Sequence, residues 1–275
     1  MFGKLLKHEF RATAPMILLT WLVLIGFTAL SALFGFLAGK TEVFLLPMMI
    51  TTFFAGTIAF AALIVVYVII IRRFYTNVFG DEGYLTLTLP VTRGSIIWSK
   101  LICAMIWLIG TAAVVFGSVT FRAAVESTDA VQSFINTFGL VAARIVNFTG
   151  IPVWGASTEL FIFLAVSLVR SILVFYAAIA LGQFLTGHRL LGSVLAYLGL
   201  GVIERILNTG YSVLMGISHK GLEVLEQFYY GYALDSLTGF EVQVSVIVYI
   251  VLLAVEAALL WLLTDLVLRK AVNLQ

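Results

Sequence analysis

The residues of this sequence that are most able to take part in chemistry are ionisable side chains within long apolar stretches. They are Arg170, Glu204, Arg205, Glu256 and Asp265. An unpaired charge at the centre of a membrane costs at least about 2.5–3.5 kcal/mol, so such residues usually pair or face a water-filled cavity. Arg170 and Glu256 lie at similar depth in their segments, which predicts an ion pair. These five ionisable residues could either fix helix packing or line a translocation path. Asp265 lies near the end of its segment and could extend towards water.

Motifs for catalysis or metal binding are not found in the sequence. The stretch GFLAGKT at 35–41 resembles a phosphate-binding loop, but that loop needs a glycine five residues before Gly39, where Phe34 stands. Neither H-E-x-x-H nor an adjacent pair of intramembrane acids occurs. The histidines lie on different segments: His8, His188 and His219. We therefore expect no enzymatic activity, no bound cofactor and no metal site in this chain.

Composition places the chain in a membrane. Of its 275 residues, 62% are hydrophobic and 11% are charged, whereas soluble domains are about half apolar and a quarter charged. The net charge of +2, without a long Lys/Arg run, argues against a nucleic-acid partner. We expect an all-α integral membrane protein in the cell membrane, with one transmembrane domain over 1–275. Its six predicted spans are about 16–38, 43–71, 101–121, 159–185, 190–216 and 244–268.

Amphipathic segments flank these spans. Residues 1–14 carry apolar side chains at helical spacing between basic ones, which is typical of a helix in the membrane interface. The outer segments 122–158 and 217–243 also show helical apolar periodicity. We expect the second span to end at Arg72 and Arg73, and the polar segment 72–100 to lie in water.

Positive charge sets the expected orientation, because Lys and Arg are retained in the cytoplasm. With the N-terminus inside, ten Lys and Arg residues fall on inner segments and four on outer ones. The inner residues are Lys4, Lys7, Arg11, Arg72, Arg73, Arg93, Lys100, Arg189, Arg269 and Lys270, and the outer ones are Lys40, Arg122, Arg144 and Lys220. Both termini are therefore predicted to be cytoplasmic.

The cytoplasmic segment 72–100 interleaves aromatic and charged residues. Those of interest are Arg73, Phe74, Tyr75, Phe79, Asp81, Glu82, Tyr84, Leu85 and Arg93. Such a mixture suits docking of another protein, but it also suits a loop whose aromatic rings lie at the lipid headgroups. Composition does not decide between the two interpretations.

Three stretches resemble the ABC-2 type permeases that occur as small separate subunits in Gram-positive bacteria. They are MFGKLLKHEFRAT at the N-terminus, FYTNVFGDEGYLTLTLPVTRGSIIWSKL at 74–101, and LRKAVNLQ at the end of the chain. The resemblance implies a type V exporter-like fold with an elbow helix before six spans. It also implies two permease subunits, identical or different, above two cytoplasmic ABC ATPases that hold ATP and Mg. The residues within Arg73–Arg93 would then couple the spans to the ATPase.

Export is the function that this resemblance implies. The many Phe and Leu residues that would face the expected subunit interface favour a hydrophobic or amphipathic substrate, such as a peptide or a lipid, although the same residues would face lipid in any helical bundle. The outer segment 122–158, which is long for this family, could then be a lid or a substrate-recognition feature. A permease that senses or removes antimicrobial peptides is an alternative. An ATP-independent transporter or channel is another, although glycine and proline interruptions do not recur at matching places in the two halves.

Overall fold

The computed structural model describes residues 2–80, 83, 92–126, 132–133, 135–137, 139–141, 143, 151–185, 187–214 and 239–272. Within these residues the chain forms six long helices and no strand. They are α1 (Phe2–Ala38), α2 (Leu45–Val78), α3 (Arg93–Glu126), α4 (Val153–Gly182), α5 (Arg189–Leu214) and α6 (Gly239–Val272), with a short 3-10 helix at Glu42–Phe44 before α2.

All six helices are long and apolar enough to cross a membrane. In the most apolar stretch of each helix, at most 28% of the residues are buried within the chain. The remaining apolar surface, which includes exposed large apolar side chains on every helix, needs a hydrocarbon environment. The chain is therefore an all-helical, multi-pass membrane protein.

The chain divides into two compact units, residues 1–137 (unit 1) and 138–275 (unit 2). In unit 1, α1 packs against both α2 and α3. In unit 2, α4 packs against both α5 and α6. Among its described residues, each unit thus has three long helices, the first of which touches the other two. The expectation of one transmembrane domain over 1–275 stays a prediction.

Helix α1 differs from the sequence-based expectation at its N-terminal part. Residues 2–14 are helical as predicted, but they continue into the first span without interruption, with Pro15 inside the helix. Proline removes one backbone hydrogen bond and disfavours the helix interior. Around it, Glu9, Thr13 and Ile17 are buried at four-residue spacing, and Thr13 Oγ1 donates to the Glu9 carbonyl over 2.9 Å. Tertiary packing on both sides of Pro15 thus favours one helix, and a separate elbow helix stays a prediction.

Helix α2 also runs further than expected. The sequence pattern predicts an end at Arg72 and Arg73, whereas the helix continues to Val78. Ile70, Phe74 and Val78 form a buried row at four-residue spacing, so the apolar face persists beyond the arginines. Helix α3 likewise begins at Arg93, before the predicted start of its span.

Several predicted segments fall wholly or partly outside the described residues. Most of 79–92 is one of them, including Asp81, Glu82, Tyr84 and Leu85. Most of the outer segment 217–243 is also outside, although α6 begins at Gly239. Of the outer segment 122–158, residues 127–131, 134, 138, 142 and 144–150 are outside, whereas α3 extends to Glu126 and α4 begins at Val153.

The connection between α4 and α5 brings the two helices close together. Backbone N–H groups of residues 183–185 donate to carbonyls of the last turn of α4, and Gly192 N donates to His188 O over 2.9 Å. A Cβ atom added at Gly192 would lie 2.8 Å from Gly182 O and 3.0 Å from Leu185 Cβ. Gly192 therefore sets how closely the start of α5 approaches the end of α4.

We expect Gly192→Ala to lower the thermal unfolding midpoint in detergent, because the new methyl group would meet a backbone carbonyl that cannot move aside cheaply. Gly199→Ala on the same helix is the matched control, since a Cβ there meets nothing within 4 Å. Alanine also has the higher helix propensity, by about 1 kcal/mol, so the control should unfold at an equal or higher temperature. Equal midpoints for the two variants would contradict this account of the turn.

Candidate functional site

A buried cluster of three charged side chains joins the helices of unit 1. The Glu9 carboxylate on α1 lies 2.6 Å from Lys100 Nζ on α3 and 3.3 Å from Arg73 Nε on α2. The side chains of Glu9 and Lys100 are only 7% and 3% exposed. One carboxylate on the central helix thus accepts hydrogen bonds from a cation on each neighbouring helix. We call Glu9, Arg73 and Lys100 the Glu9 cluster.

Polar and aromatic contacts continue from this cluster along the interface of α1 and α3. Trp107 Nε1 donates to Thr13 Oγ1 over 2.8 Å, and Trp21 Nε1 donates to Thr111 Oγ1 over 3.0 Å. The Trp107 ring also lies 5.6 Å from the rings of both Phe10 and Trp21. These contacts fix the register of α1 on α3, because each indole N–H has one acceptor on the opposite helix.

Sequence reasoning missed Glu9 and the role of Lys100. It assigned Lys100 to the segment 72–100, which was predicted to lie in water, and it did not single out Glu9. One signal was present: Glu9 stands in four-residue phase with Thr13 and Ile17, which places an acid on the buried face of α1. Arg73 was predicted to dock an ATPase, and the structure places it against Glu9.

A second charged cluster joins the helices of unit 2. Arg170 Nε on α4 donates to Glu256 Oε2 on α6 over 2.6 Å, and Arg170 Nη2 lies 2.7 Å from Glu204 Oε2 on α5. The sequence pattern predicts the pair of Arg170 and Glu256, and the structure adds Glu204 to it. We call Arg170, Glu204 and Glu256 the Arg170 cluster. Here one cation on the central helix bonds to a carboxylate from each neighbouring helix.

The two clusters have opposite charge composition. Glu9 lies between two cations, whereas Arg170 lies between two carboxylates. The second carboxylate oxygen of Glu256 is buried and has no hydrogen-bond partner among the described residues. Such a group is costly to bury unless it is satisfied. The Arg170 cluster is therefore a place where an additional proton or polar group would be stabilised.

The remaining ionisable residues predicted within the spans do not join the Arg170 cluster. Asp265 is buried instead of extending towards water, and its Oδ2 lies 2.7 Å from Arg269 Nη2, one helical turn further along α6. Arg205 is exposed on α5 and has no ion-pair partner among the residues that the structure describes.

A cavity of about 570 Å³ lies between α4 and α5. Arg170, Glu204 and Arg205 line it, together with Phe175 and Tyr197. The two aromatic rings are stacked with their centroids 4.9 Å apart and an angle of 9° between their planes. The volume is within the range of about 300–1,000 Å³ that is usual for small-molecule sites.

The residues predicted to couple the spans to an ATPase have different environments. Phe74 is buried, with its ring 6.1 Å from that of Phe79 just beyond the end of α2, so it contributes to packing within unit 1. Tyr75 and Arg93 are partly exposed. Asp81, Glu82, Tyr84 and Leu85 lie outside the described residues.

Comparison with protein families, characterised proteins and solved structures gives no match. Among the described residues, no three His, Cys, Asp or Glu side chains come together in a group that could hold a metal ion. The two charged clusters and the cavity between α4 and α5 are therefore the features from which a function can be argued.

Replacing Glu9 should destabilise unit 1 strongly. Glu9→Gln would leave Lys100 buried without a counter-charge, and breaking a buried ion pair in this way costs about 3–5 kcal/mol. We expect a lower unfolding midpoint in detergent for Glu9→Gln, and partial recovery in the double variant with Lys100→Met, because the uncompensated charge is then removed. Glu42→Gln, at an exposed acid, is the control. A Glu9→Gln protein that unfolds like the control would show that the cluster does not hold the helices together.

Proposed function

We propose that this chain is the permease subunit of an ABC exporter, which moves a hydrophobic or amphipathic substrate outward by means of ATP hydrolysed in a separate ATPase. The proposal adopts the type V exporter-like arrangement, with a second permease subunit and two cytoplasmic ATPases. Six helices able to span a membrane agree with it. The resemblance of residues 74–101 to ABC-2 permeases supplies the functional assignment.

The observation that carries the proposal is the position of the Glu9 cluster. Arg73 lies near the C-terminal end of α2, and Lys100 lies near the N-terminal end of α3. The chain between these ends contains the predicted coupling residues. Glu9 bonds to both cations, so the two helix ends that flank this segment are tied to α1.

A mechanism follows from this connection. A partner that pushes on residues 79–92 would move the adjoining ends of α2 and α3, and the shared carboxylate would transmit that movement to α1. Closure of the ATPases on ATP would supply the force. ATP binding must favour one state of the assembly over the other, because a ligand shifts a conformational equilibrium only through its differential affinity.

The Arg170 cluster favours one alternative, an ion-coupled transporter that works without ATP. Intramembrane carboxylates paired with arginine occur in proton relays of pumps and transporters. The Glu256 oxygen that has no hydrogen-bond partner among the described residues would be the proton-binding atom in such a mechanism. A sensing or immunity permease stays a variant of the ABC proposal, since it would use the same ATPase contacts.

Co-expression with an ABC ATPase encoded next to this chain tests the proposal. We expect the two proteins to co-purify in nanodiscs and to hydrolyse ATP in a vanadate-sensitive manner. Glu82→Ala combined with Tyr84→Ala should weaken assembly or hydrolysis at least severalfold, because both residues belong to the predicted docking segment.

The control carries Lys40→Ala with Glu42→Ala, which changes the same number of residues at the turn before α2, predicted to face outward. If no ATPase associates with the folded protein, the ABC proposal fails. Substrate uptake into proteoliposomes that is driven by a pH gradient, and that is lost in Glu256→Gln, would then support the ion-coupled alternative.

A further inference from the structure

The cavity between α4 and α5 changes in character from one end to the other. Arg170, Glu204 and Arg205 form its polar end, and the stacked rings of Phe175 and Tyr197 form its aromatic end. Tyr197 and Arg205 are eight residues apart on α5, which is about 12 Å along the helix axis. Val174, Leu198 and Val202 also line the cavity. A ligand that fills it must therefore have a polar head and an apolar tail.

Charge at the polar end determines which kind of head fits. Arg170 and the two carboxylates that it contacts carry one net negative charge together, and the Oε2 atoms of Glu204 and Glu256 are already used in these contacts. Arg205 is left as the cation without an ion-pair partner within the described part of the chain. A guanidinium group binds carboxylate and phosphate oxygens well. A cationic head would have no such contact with Arg205.

The space along α5 is open to a tail. An added Cβ atom at Gly201, which lines the cavity, would meet nothing within 4 Å. Tyr197 is partly accessible at the aromatic end, with an exposed fraction of 41%. The volume of about 570 Å³ suits one ligand of ordinary small-molecule size.

We infer that this cavity binds a single-chain anionic amphiphile, whose head pairs with Arg205 and whose hydrocarbon tail lies along Gly201 towards Phe175 and Tyr197. If the cavity is a cargo site, the inference rests on the proposed export function, and the amphiphile is then the class of molecule that the transporter moves. Binding itself does not depend on that function, because it requires no ATPase.

Photolabelling in nanodiscs of phosphatidylcholine tests the inference with the permease alone. The probe is a sixteen-carbon fatty acid that carries a diazirine near the end of its tail. We expect saturable labelling of residues that line the cavity near Phe175 and Tyr197. Unlabelled palmitate should compete, whereas hexadecylamine, which has the same chain and a cationic head, should not.

Two variants separate the head and tail contacts. Arg205→Gln should raise the half-saturation concentration at least about tenfold, since a hydrogen bond to a charged group contributes about 1.5–3 kcal/mol and 1.4 kcal/mol is a factor of ten. Arg205→Lys should keep most of the binding. Gly201→Leu should reduce labelling by filling the cavity, without altering any charge.

Matched controls are available on the same helix. Gly199→Leu adds the same side chain at an open position that does not line the cavity, and Arg189→Gln removes an exposed arginine at the start of α5. Both should label like the unchanged protein. Non-saturable labelling, equal competition by the amine, or unchanged binding in both Arg205→Gln and Gly201→Leu would overturn the inference. None of these results would bear on whether an ATPase associates with the chain.

Discussion

Charges buried among apolar helices need partners of opposite sign, and the packing of both units depends on this constraint. In each unit the first helix touches the other two and carries one charged residue that bonds to both. Buried ion pairs often add little stability compared with apolar side chains of similar volume, whereas loss of one partner is expensive. The clusters therefore act mainly by specifying which helices meet and in which register.

Opposite charge composition gives the two clusters different chemical possibilities. The Glu9 cluster has its single acid satisfied from two sides and lies next to the connection between α2 and α3, which suits the transmission of force. One oxygen of Glu256 in the Arg170 cluster has no hydrogen-bond partner within the described part of the chain, and the cluster adjoins a cavity that Arg205 also lines. This arrangement suits binding of a polar group at membrane depth. We thus propose that the ATPase moves the helices of unit 1 and that unit 2 contains a ligand site.

Sequence patterns predicted the six membrane-spanning helices well, because an apolar run of twenty or more residues is rarely stable outside a lipid bilayer. They also predicted the pair of Arg170 and Glu256, since depth along two spans can be read from residue number. Three features depended on tertiary contacts and were missed. Packing on both sides of Pro15 keeps α1 continuous, the buried row through Phe74 extends α2, and Glu9 finds its partners only when three helices meet. The cavity at Arg205 likewise arises from the placement of α4 and α5.

A disulfide between α1 and α3 gives the most direct test of the claim that the Glu9 cluster moves as one body with the coupling segment. Thr13 Oγ1 lies 3.8 Å from the Sγ atom of the buried Cys103, so Thr13→Cys would place a second thiol within reach. Thr13→Cys with Cys103→Ala cannot form the bond and is the control.

The measurement is vanadate-sensitive ATP hydrolysis and substrate export by the reconstituted complex, before and after oxidation. The account predicts that the cross-linked protein works as well as the reduced one, because α1 and α3 need not separate there. Loss of export on oxidation, restored by reduction and absent in the control, would contradict it.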